Sequence, residues 1–206
     1  MCSISLSRDG FRLAVGSWDK IVRVWDVPAD GAALGGGGEL ELAATCVGHG
    51  SAIASVRFSP CGSRLASAGW DATLRIWDPA TGRPAAPPLR GHGGCVRAVG
   101  WSCGGATLAS AGDDGAVRLW DAASGQPLGP ALPGHTGEVW LLAFGPDGNT
   151  LATADRDGAV VLWDLIRAPA RLAMAMAAHP RLGRASPLAS LEPGLLAAVA
   201  AHMALA

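Results

Sequence analysis

Short segments of alternating apolar and polar residues, separated by turn residues, recur along most of the chain. One set has an alternating segment at Ile53–Phe58, a bend at Ser59–Gly62, and further apolar segments at Arg64–Ser67 and Thr73–Trp77. Alternation with a period of two is typical of β-strands that bury one face, and Gly or Pro favours the bends between them. The pattern therefore predicts three short antiparallel strands per unit, with a fourth, outer strand in the variable stretch that follows.

The unit recurs at a fixed spacing. Gly-His dipeptides precede the first strand, Trp-Asp dipeptides close the third, and each kind lies 43 residues after the last. These dipeptides are Gly48-His49, Gly91-His92, Gly134-His135, Trp77-Asp78, Trp120-Asp121 and Trp163-Asp164. A further Trp25-Asp26 lies 52 residues before Trp77-Asp78, and the glycine-rich segment Gly31–Gly38 accounts for the extra nine. Such regularity predicts four-stranded blades repeated around an axis and does not fit parallel βαβ units.

These Gly-His…Trp-Asp units resemble the WD40 family of β-propellers, over Cys2 to Asp164 or about four-fifths of the chain. The resemblance implies an all-β fold of about four WD40-type blades, which would form an open or incomplete propeller. We expect residues 1–164 to hold the repeats, with units ending at Trp25, Trp77, Trp120 and Trp163. Residues 165–206 are expected to supply the outer strand of the last blade and an Ala-rich tail that is helical or disordered.

Each complete unit also contains a His, a Ser or Thr, an Asp and a Trp at fixed offsets. The three sets are His49, Ser67, Asp71, Trp77; His92, Ser110, Asp114, Trp120; and His135, Thr153, Asp157, Trp163. Ser, His and Asp can form a hydrolase triad, but a catalytic set occurs once, whereas this one occurs three times with Trp as a fixed fourth member. The resemblance implies a structural role instead, a buried hydrogen-bonded chain from the indole through the hydroxyl and the imidazole to the carboxylate.

The first unit departs from this pattern. Asp19 and Trp25 stand in place, but Val15 occupies the Ser/Thr position and the His position falls before Met1. We therefore expect blade 1 to lack the polar chain and to be the loosest blade.

A second register is expected to pack between blades. Phe58, Trp101 and Phe144 each lie nine residues after a His, and Leu6 takes the corresponding place in the first unit. All four are predicted to be core residues.

The resemblance also implies a face for partners, which carries the Gly-His loops and the turns between the second and third strands. Members of this family contact partners through the residue before the turn Asp and through those three and five after the His. In this sequence the informative members are Trp18, Trp70, Asp113, Arg156, Arg97, Glu138 and Trp140. Trp and Arg dominate binding hot spots, so Trp18 and Trp70 are predicted to be hot-spot residues.

Composition and charge argue against several classes of partner and ligand. Only 16% of residues are charged, the formal net charge is −1, and no basic stripe with interleaved aromatic residues occurs, which argues against nucleic-acid binding. The five Cys form no CxxC pair or zinc-like cluster, and the glycine run lacks the Lys-Ser/Thr of a phosphate-binding loop. No signal peptide or membrane-length apolar segment is visible. We expect no cofactor, no metal and an intracellular location, cytoplasmic or nuclear.

Taken together, the sequence predicts a non-enzymatic scaffold that docks other proteins or peptides within a larger assembly. Two alternatives remain open. Residues 186–206 weakly resemble the start of F-box or SOCS-box helices, which would make the chain a ubiquitin-ligase substrate receptor. The open faces of an incomplete propeller would also allow self-association.

Overall fold

The computed structural model describes residues 3–28 and 40–165, and the backbone of residues 175–177. Fifteen β-strands form four antiparallel sheets in these residues, and each sheet follows chain order from its first strand to its last. Blade 1 contains β1 (Ser3–Leu6), β2 (Arg12–Gly16), β3 (Ile21–Asp26) and β4 (Glu41–Val47); blade 2 contains β5 (Ile53–Phe58), β6 (Leu65–Gly69), β7 (Thr73–Trp77) and β8 (Leu89–Arg90); blade 3 contains β9 (Val96–Trp101), β10 (Thr107–Gly112) and β11 (Val117–Asp121); and blade 4 contains β12 (Val139–Phe144), β13 (Thr150–Asp155), β14 (Val160–Asp164) and β15 (Ala175–Ala177). The predicted fold class, WD40-type blades, is confirmed.

Proline sets the length of the outer strands. In blade 1 the outer strand β4 has seven residues and contains no proline. In blade 2, Pro84, Pro87 and Pro88 precede β8, which has two residues. In blade 3 the corresponding stretch forms only isolated bridges, from Trp120 to Pro127 and from Val117 to Leu132. Proline has no N–H to donate to a strand ladder, so the proline-rich outer stretches pair only briefly.

The blades pack face to face, with small residues of one blade against large residues of the next. Three clusters of buried apolar residues make up the core, one at each junction between successive blades. At the first junction, Ala14 and Val22 of blade 1 contact a set that includes Leu65 and Trp77 of blade 2. The core is therefore a series of interfaces between sheets, and each blade depends on its neighbour for burial.

Hydrogen bonds also cross the blade junctions. The hydroxyls of Ser3 and Ser5 accept from the amides of Val56 and Phe58, at 3.0 and 3.1 Å. The indole of Trp101 donates to the carbonyl of Arg57 at 2.9 Å. These bonds link the first strands of adjacent blades.

The register predicted for the core holds in blades 2 and 3 and fails in blade 1. Phe58 and Trp101 are buried, and Phe144 packs partly buried against the third cluster. Leu6, in contrast, is 59% exposed. The prediction for Leu6 is wrong because alternate side chains of a strand point to opposite faces, and Ser5 is the one that faces blade 2.

Of the predicted tail at residues 165–206, the structure describes residue 165 and the backbone of residues 175–177. A strand at residues 175–177 pairs with β14, in the part of the chain, residues 165–206, that was expected to supply the outer strand of the last blade. The predicted helical or adaptor-like segment at 186–206 lies outside the described residues.

Candidate functional site

The structure brings together the four predicted residues of blade 2 in one hydrogen-bonded chain, which we call the lock. The indole Nε1 of Trp77 donates to Ser67 Oγ at 2.8 Å. Ser67 Oγ lies 2.7 Å from His49 Nε2, and His49 Nδ1 lies 2.9 Å from Asp71 Oδ2. Because an indole can only donate, the hydroxyl hydrogen is free to point to Nε2, and the Nδ1 hydrogen then faces the carboxylate. Every polar group in the lock is satisfied.

Blade 3 repeats this geometry. His92 Nε2 lies 2.7 Å from Ser110 Oγ, Trp120 Nε1 donates to the same oxygen at 2.8 Å, and His92 Nδ1 lies 2.9 Å from Asp114 Oδ1. Burial lowers the pKa of His92, which outweighs the opposing effect of Asp114. Burial acts to raise the pKa of the Asp114 carboxyl, but the hydrogen bonds from the Gly93 amide and His92 prevail and hold that pKa below its usual value. The lock of blade 3 therefore pairs a neutral imidazole with an ionised carboxylate.

Blade 4 corrects one prediction. His135 Nδ1 pairs with Asp155 Oδ2 at 3.0 Å, whereas the sequence spacing assigned this role to Asp157. Asp157 is exposed at the turn. The rest of the lock is present, with Thr153 Oγ1 at 2.7 Å from His135 and at 2.8 Å from the Trp163 indole.

The reason lies at the position that Asp155 occupies. Blades 2 and 3 have Gly69 and Gly112 there. A Cβ at Gly69 would lie 2.5 Å from His49 Nδ1 and 2.6 Å from Asp71 Oδ1, so a side chain at this position displaces the later carboxylate. Asp155 brings its own carboxylate to the histidine and is 4% exposed in its side chain. Alignment of the three turns was the signal that would have revealed it.

The burial of the lock hydroxyls argues against the alternative that they serve as hydrolase nucleophiles. Ser67 and Ser110 are 0% exposed and Thr153 is 1% exposed. Each hydroxyl accepts an indole hydrogen and lies against an imidazole, so its surroundings are already filled. A substrate carbonyl has no approach to these oxygens in this arrangement.

Local irregularities bring the predicted partner residues to one face. The pairing of the first two strands shifts register in blades 2, 3 and 4, and the residue skipped by the ladder is Ala54, Arg97 and Trp140 in turn. A β-bulge redirects the side chain of its extra residue. The amides of Trp70, Asp113 and Arg156 each donate at 2.9 Å to a carbonyl three residues after the His. Bulge and turn residues of each blade thus converge at the same end.

The converged side chains form a run of ring contacts across the blades. Trp18 and Trp70 meet edge to face with their centroids 4.8 Å apart. The Arg97 guanidinium carbon lies 5.3 Å from the Trp70 centroid and 5.6 Å from that of Trp140, and the Arg156 guanidinium lies 5.9 Å from Trp140. We call Trp18, Trp70, Arg97, Trp140 and Arg156, in this order of contact, the aromatic–guanidinium row.

A comparison with known protein families matches parts of all four sheets. The family described as "WD domain, G-beta repeat" matches residues 1–26, 40–78, 86–121 and 125–164. The chain belongs to the WD40 family. The resemblance inferred from the Gly-His and Trp-Asp dipeptides is thereby confirmed.

Curated relatives of this WD40 chain match over shorter stretches. It is 34% identical to a ribosome biogenesis protein WDR12 homolog of Drosophila erecta over 82 residues, which is 37% of this chain and 19% of that protein. The homolog of Drosophila virilis is 29% identical over the same length. Coronin-7 of Homo sapiens is 40% identical over 80 residues, 36% of this chain and 8% of that protein. The chain thus spans about a fifth or less of the length of these relatives.

The charges within the aromatic–guanidinium row are paired. Arg97 binds the Asp113 carboxylate through two nitrogens, one of them Nη2 at 3.0 Å from Oδ2, and this hydrogen bonding raises the pKa of Arg97. Glu138 accepts from the Trp140 indole at 3.0 Å and lies 3.8 Å from Arg156. All seven residues predicted for the partner face therefore lie in the row or bind to it.

The opposite end of the WD40 blades carries different chemistry. A shallow recess of about 430 Å³ there is lined in part by Asp9, Phe11, Arg12 and Cys61. Hydrogen bonds from Ser59 and Ser63 lower the pKa of the Cys61 thiol to about 7, and sequence reasoning assigned this residue only a turn role. Among the residues that the structure describes, no cluster of three or more His, Cys, Asp or Glu is placed to hold a metal ion.

Proposed function

We propose that this chain is a non-enzymatic interaction module that docks protein or peptide partners on its aromatic–guanidinium row. The row supports the proposal because it presents large aromatic side chains to solvent: Trp18 is 54% exposed and Trp140 is 40% exposed. Aromatic and Arg side chains at the centre of a surface are the residue types that dominate binding energies between proteins. The buried lock hydroxyls favour this reading over catalysis.

The names of the relatives support a role for this chain within a larger assembly. Two of the three are named for ribosome biogenesis, and we propose for this chain an intracellular location, cytoplasmic or nuclear, consistent with that name. The partners are proposed to be proteins, since Arg97 is bound to Asp113 and Arg156 lies 3.8 Å from Glu138, and neighbouring carboxylates weaken the attraction of a phosphate backbone. Membrane insertion is not part of the proposal, and the described residues include no helix long and apolar enough to cross a bilayer.

The decisive experiment is affinity purification with mass spectrometry. The intact wild-type chain would be compared with a Trp18→Ala/Trp70→Ala double variant and with Phe11→Ala. Phe11 is 49% exposed at the opposite end of the blades, so its removal is a matched loss of an exposed ring. We expect specific partners to be lost from the double variant and kept by Phe11→Ala.

Folding is the necessary control. Both Trp side chains extend from turns, so the double variant should retain the far-ultraviolet spectrum and the melting temperature of wild type within a few degrees. If a well-folded double variant captures the same partners as wild type, the row is not the docking surface.

A second proposal is self-association, and the exposed face of blade 1 supports it. Ile4, Leu6, Leu42 and Val47 are 51–65% exposed. Ser3 and Ser5 bond to blade 2, so the alternate residues Ile4 and Leu6 face away from it. Apolar patches of this kind mark interaction surfaces, and a second copy is the proposed occupant. Light scattering should show a dimer that Leu6→Ser weakens, and a monomer at all concentrations would exclude it.

A further inference from the structure

The contacts of the aromatic–guanidinium row also indicate the chemistry of its ligand. We infer that the row binds an uncharged, proline-rich segment in the extended polyproline II conformation. This inference rests on the proposed docking function and adds the class of partner to it. Three features of the row support this inference: the pairing of its charged groups, the indole N–H groups that donate no hydrogen bond, and the spacing of its rings.

Most of the charged groups of the row are already paired. Arg97 uses Nε and Nη2 to bind both oxygens of Asp113, and Glu138 accepts from the Trp140 indole. Arg156, at the end of the row, lies at the longer distance of 3.8 Å from Glu138 and its side chain is 63% exposed. A bidentate contact to an acidic or phosphorylated peptide requires a free guanidinium edge, and a basic peptide requires free carboxylates. The charges of the two Arg and the two carboxylates cancel, so the row favours an uncharged ligand.

The uncharged groups are available instead. Within residues 3–28 and 40–165, the indole N–H groups of Trp18 and Trp70 donate no hydrogen bond, and neither is buried. Exposed rings beside free N–H donors favour a ligand that offers apolar surface together with carbonyl acceptors. A polyproline II segment does so, because it has no internal hydrogen bonds and its carbonyls are solvated.

The spacing of the rings suits the same ligand. The rings of Trp70 and Trp140 both contact Arg97, at 5.3 and 5.6 Å from its guanidinium carbon, so their separation cannot exceed the sum of these distances. One turn of polyproline II has three residues and spans about 9 Å. Prolines three residues apart can therefore contact the two rings at once, with the planar Arg97 group between them.

The test is a titration of the intact chain with fluorescein-labelled decaproline, followed by anisotropy. Ten-residue Gly-Ser, Glu-rich and Arg-rich peptides with the same label serve as comparisons. We expect saturable binding of decaproline alone, with little change between 50 and 300 mM salt because no charges drive it. Trp70→Ala and Trp140→Ala should each weaken binding at least tenfold, and Phe11→Ala should leave it unchanged.

Each other outcome overturns the inference. Decaproline that does not saturate, that binds the Trp70→Ala and Trp140→Ala variants as well as wild type, or that is outcompeted by a charged peptide excludes polyproline recognition by the row. Failure here differs from failure of the docking proposal. If partners captured by wild type are lost from the Trp18→Ala/Trp70→Ala variant while decaproline does not bind, docking on the row stands and only the ligand class is wrong.

Discussion

Blades 1 and 2 share the Trp-Asp dipeptide but use it differently. Trp77 is 0% exposed and donates to Ser67, whereas Trp25 is half-buried at the same place in the ladder and faces Leu13 across the strand pair. Two differences explain this. Val15 replaces the hydroxyl acceptor, and the three histidines of the described residues all belong to blades 2 to 4. The face of blade 2 that carries Trp77 is also covered by blade 1. A motif therefore stabilises a blade only when an acceptor and a covering neighbour accompany it.

The largest test of this comparison replaces the two tryptophans in turn. Trp77→Ala should destabilise the chain by about 3–5 kcal/mol, since it removes a fully buried ring and leaves the buried Ser67 hydroxyl without its indole donor. Trp25→Ala should cost about 1–2 kcal/mol, because the ring is half-buried and makes no such bond. Denaturant unfolding of both variants measures the difference. Equal losses would mean that the lock adds nothing to the burial of the ring.

Blade 4 extends the comparison to the carboxylate. Asp155→Ala should cost about 1–3 kcal/mol, because it leaves the buried His135 Nδ1 without its acceptor. Asp157→Ala should change stability by less than about 0.5 kcal/mol, as for other exposed positions. In blade 2 the later carboxylate, Asp71, pairs with the histidine, so Asp71→Ala should destabilise the chain about as much as Asp155→Ala. Chemical denaturation separates these cases, and a larger effect of Asp157 than of Asp155 would contradict the assignment.

Acid should weaken blade 3 through His92. Burial lowers the pKa of His92 below its ordinary 6.5. The unfolded chain then binds a proton that the folded chain resists, so stability is full above pH 6.5 and falls as the pH drops towards the lowered value. The slope for one proton is at most about 1.4 kcal/mol per pH unit. His92→Gln should flatten the dependence between pH 7 and 5.

The matched control is in blade 1. Hydrogen bonding to Arg23 lowers the pKa of Asp19 below 3.8, well outside this range, so Asp19→Asn should leave the slope between pH 7 and 5 unchanged. The carboxylate of the blade 2 lock, Asp71, affects stability only in more acidic conditions. Burial opposes ionisation of Asp71, but the hydrogen bonds from His49, Thr73 and the Gly50 amide hold its pKa well below 3.8. The contribution of Asp71 is retained above pH 3.8 and lost as the pH falls below it.

The smallest effect concerns a strained turn residue that blades 1 and 2 share. Lys20 and Ala72 have φ of 72° and 61°, where blades 3 and 4 have Gly115 and Gly158 at 69° and 87°. Left-handed backbone is unfavourable for residues with a Cβ. Lys20→Gly and Ala72→Gly should therefore each raise stability by a few tenths to about 1 kcal/mol, and Gly115→Ala should lower it by a similar amount. Thermal melting would detect the opposite signs.

Much of the fold could be read from the sequence because its signals are local. Strand alternation, turn residues and the 43-residue period place the first three strands of blades 2 to 4 correctly, and the lock of blades 2 and 3 has the predicted partners. The predicted outer strand fails in blade 3, where proline leaves only isolated bridges. The lock of blade 4 was misassigned to Asp157 because spacing from the His carries no information about which carboxylate has room. Leu6 was misassigned because its burial depends on a covering sheet, which strand periodicity does not report.

The sequence by itself determined the strands and the turns, since these depend on backbone preference and on a repeated motif, and its resemblance to the WD40 family supplied the candidate residues of the proposed partner face. Only the tertiary structure decided how those residues meet. The Trp18–Trp70 contact and the stacking of Arg97 between Trp70 and Trp140 join residues from different blades, and the bulges that present Arg97 and Trp140 arise from strand pairing. Side-chain geometry between separate sheets depends on how the blades pack, which no local pattern encodes.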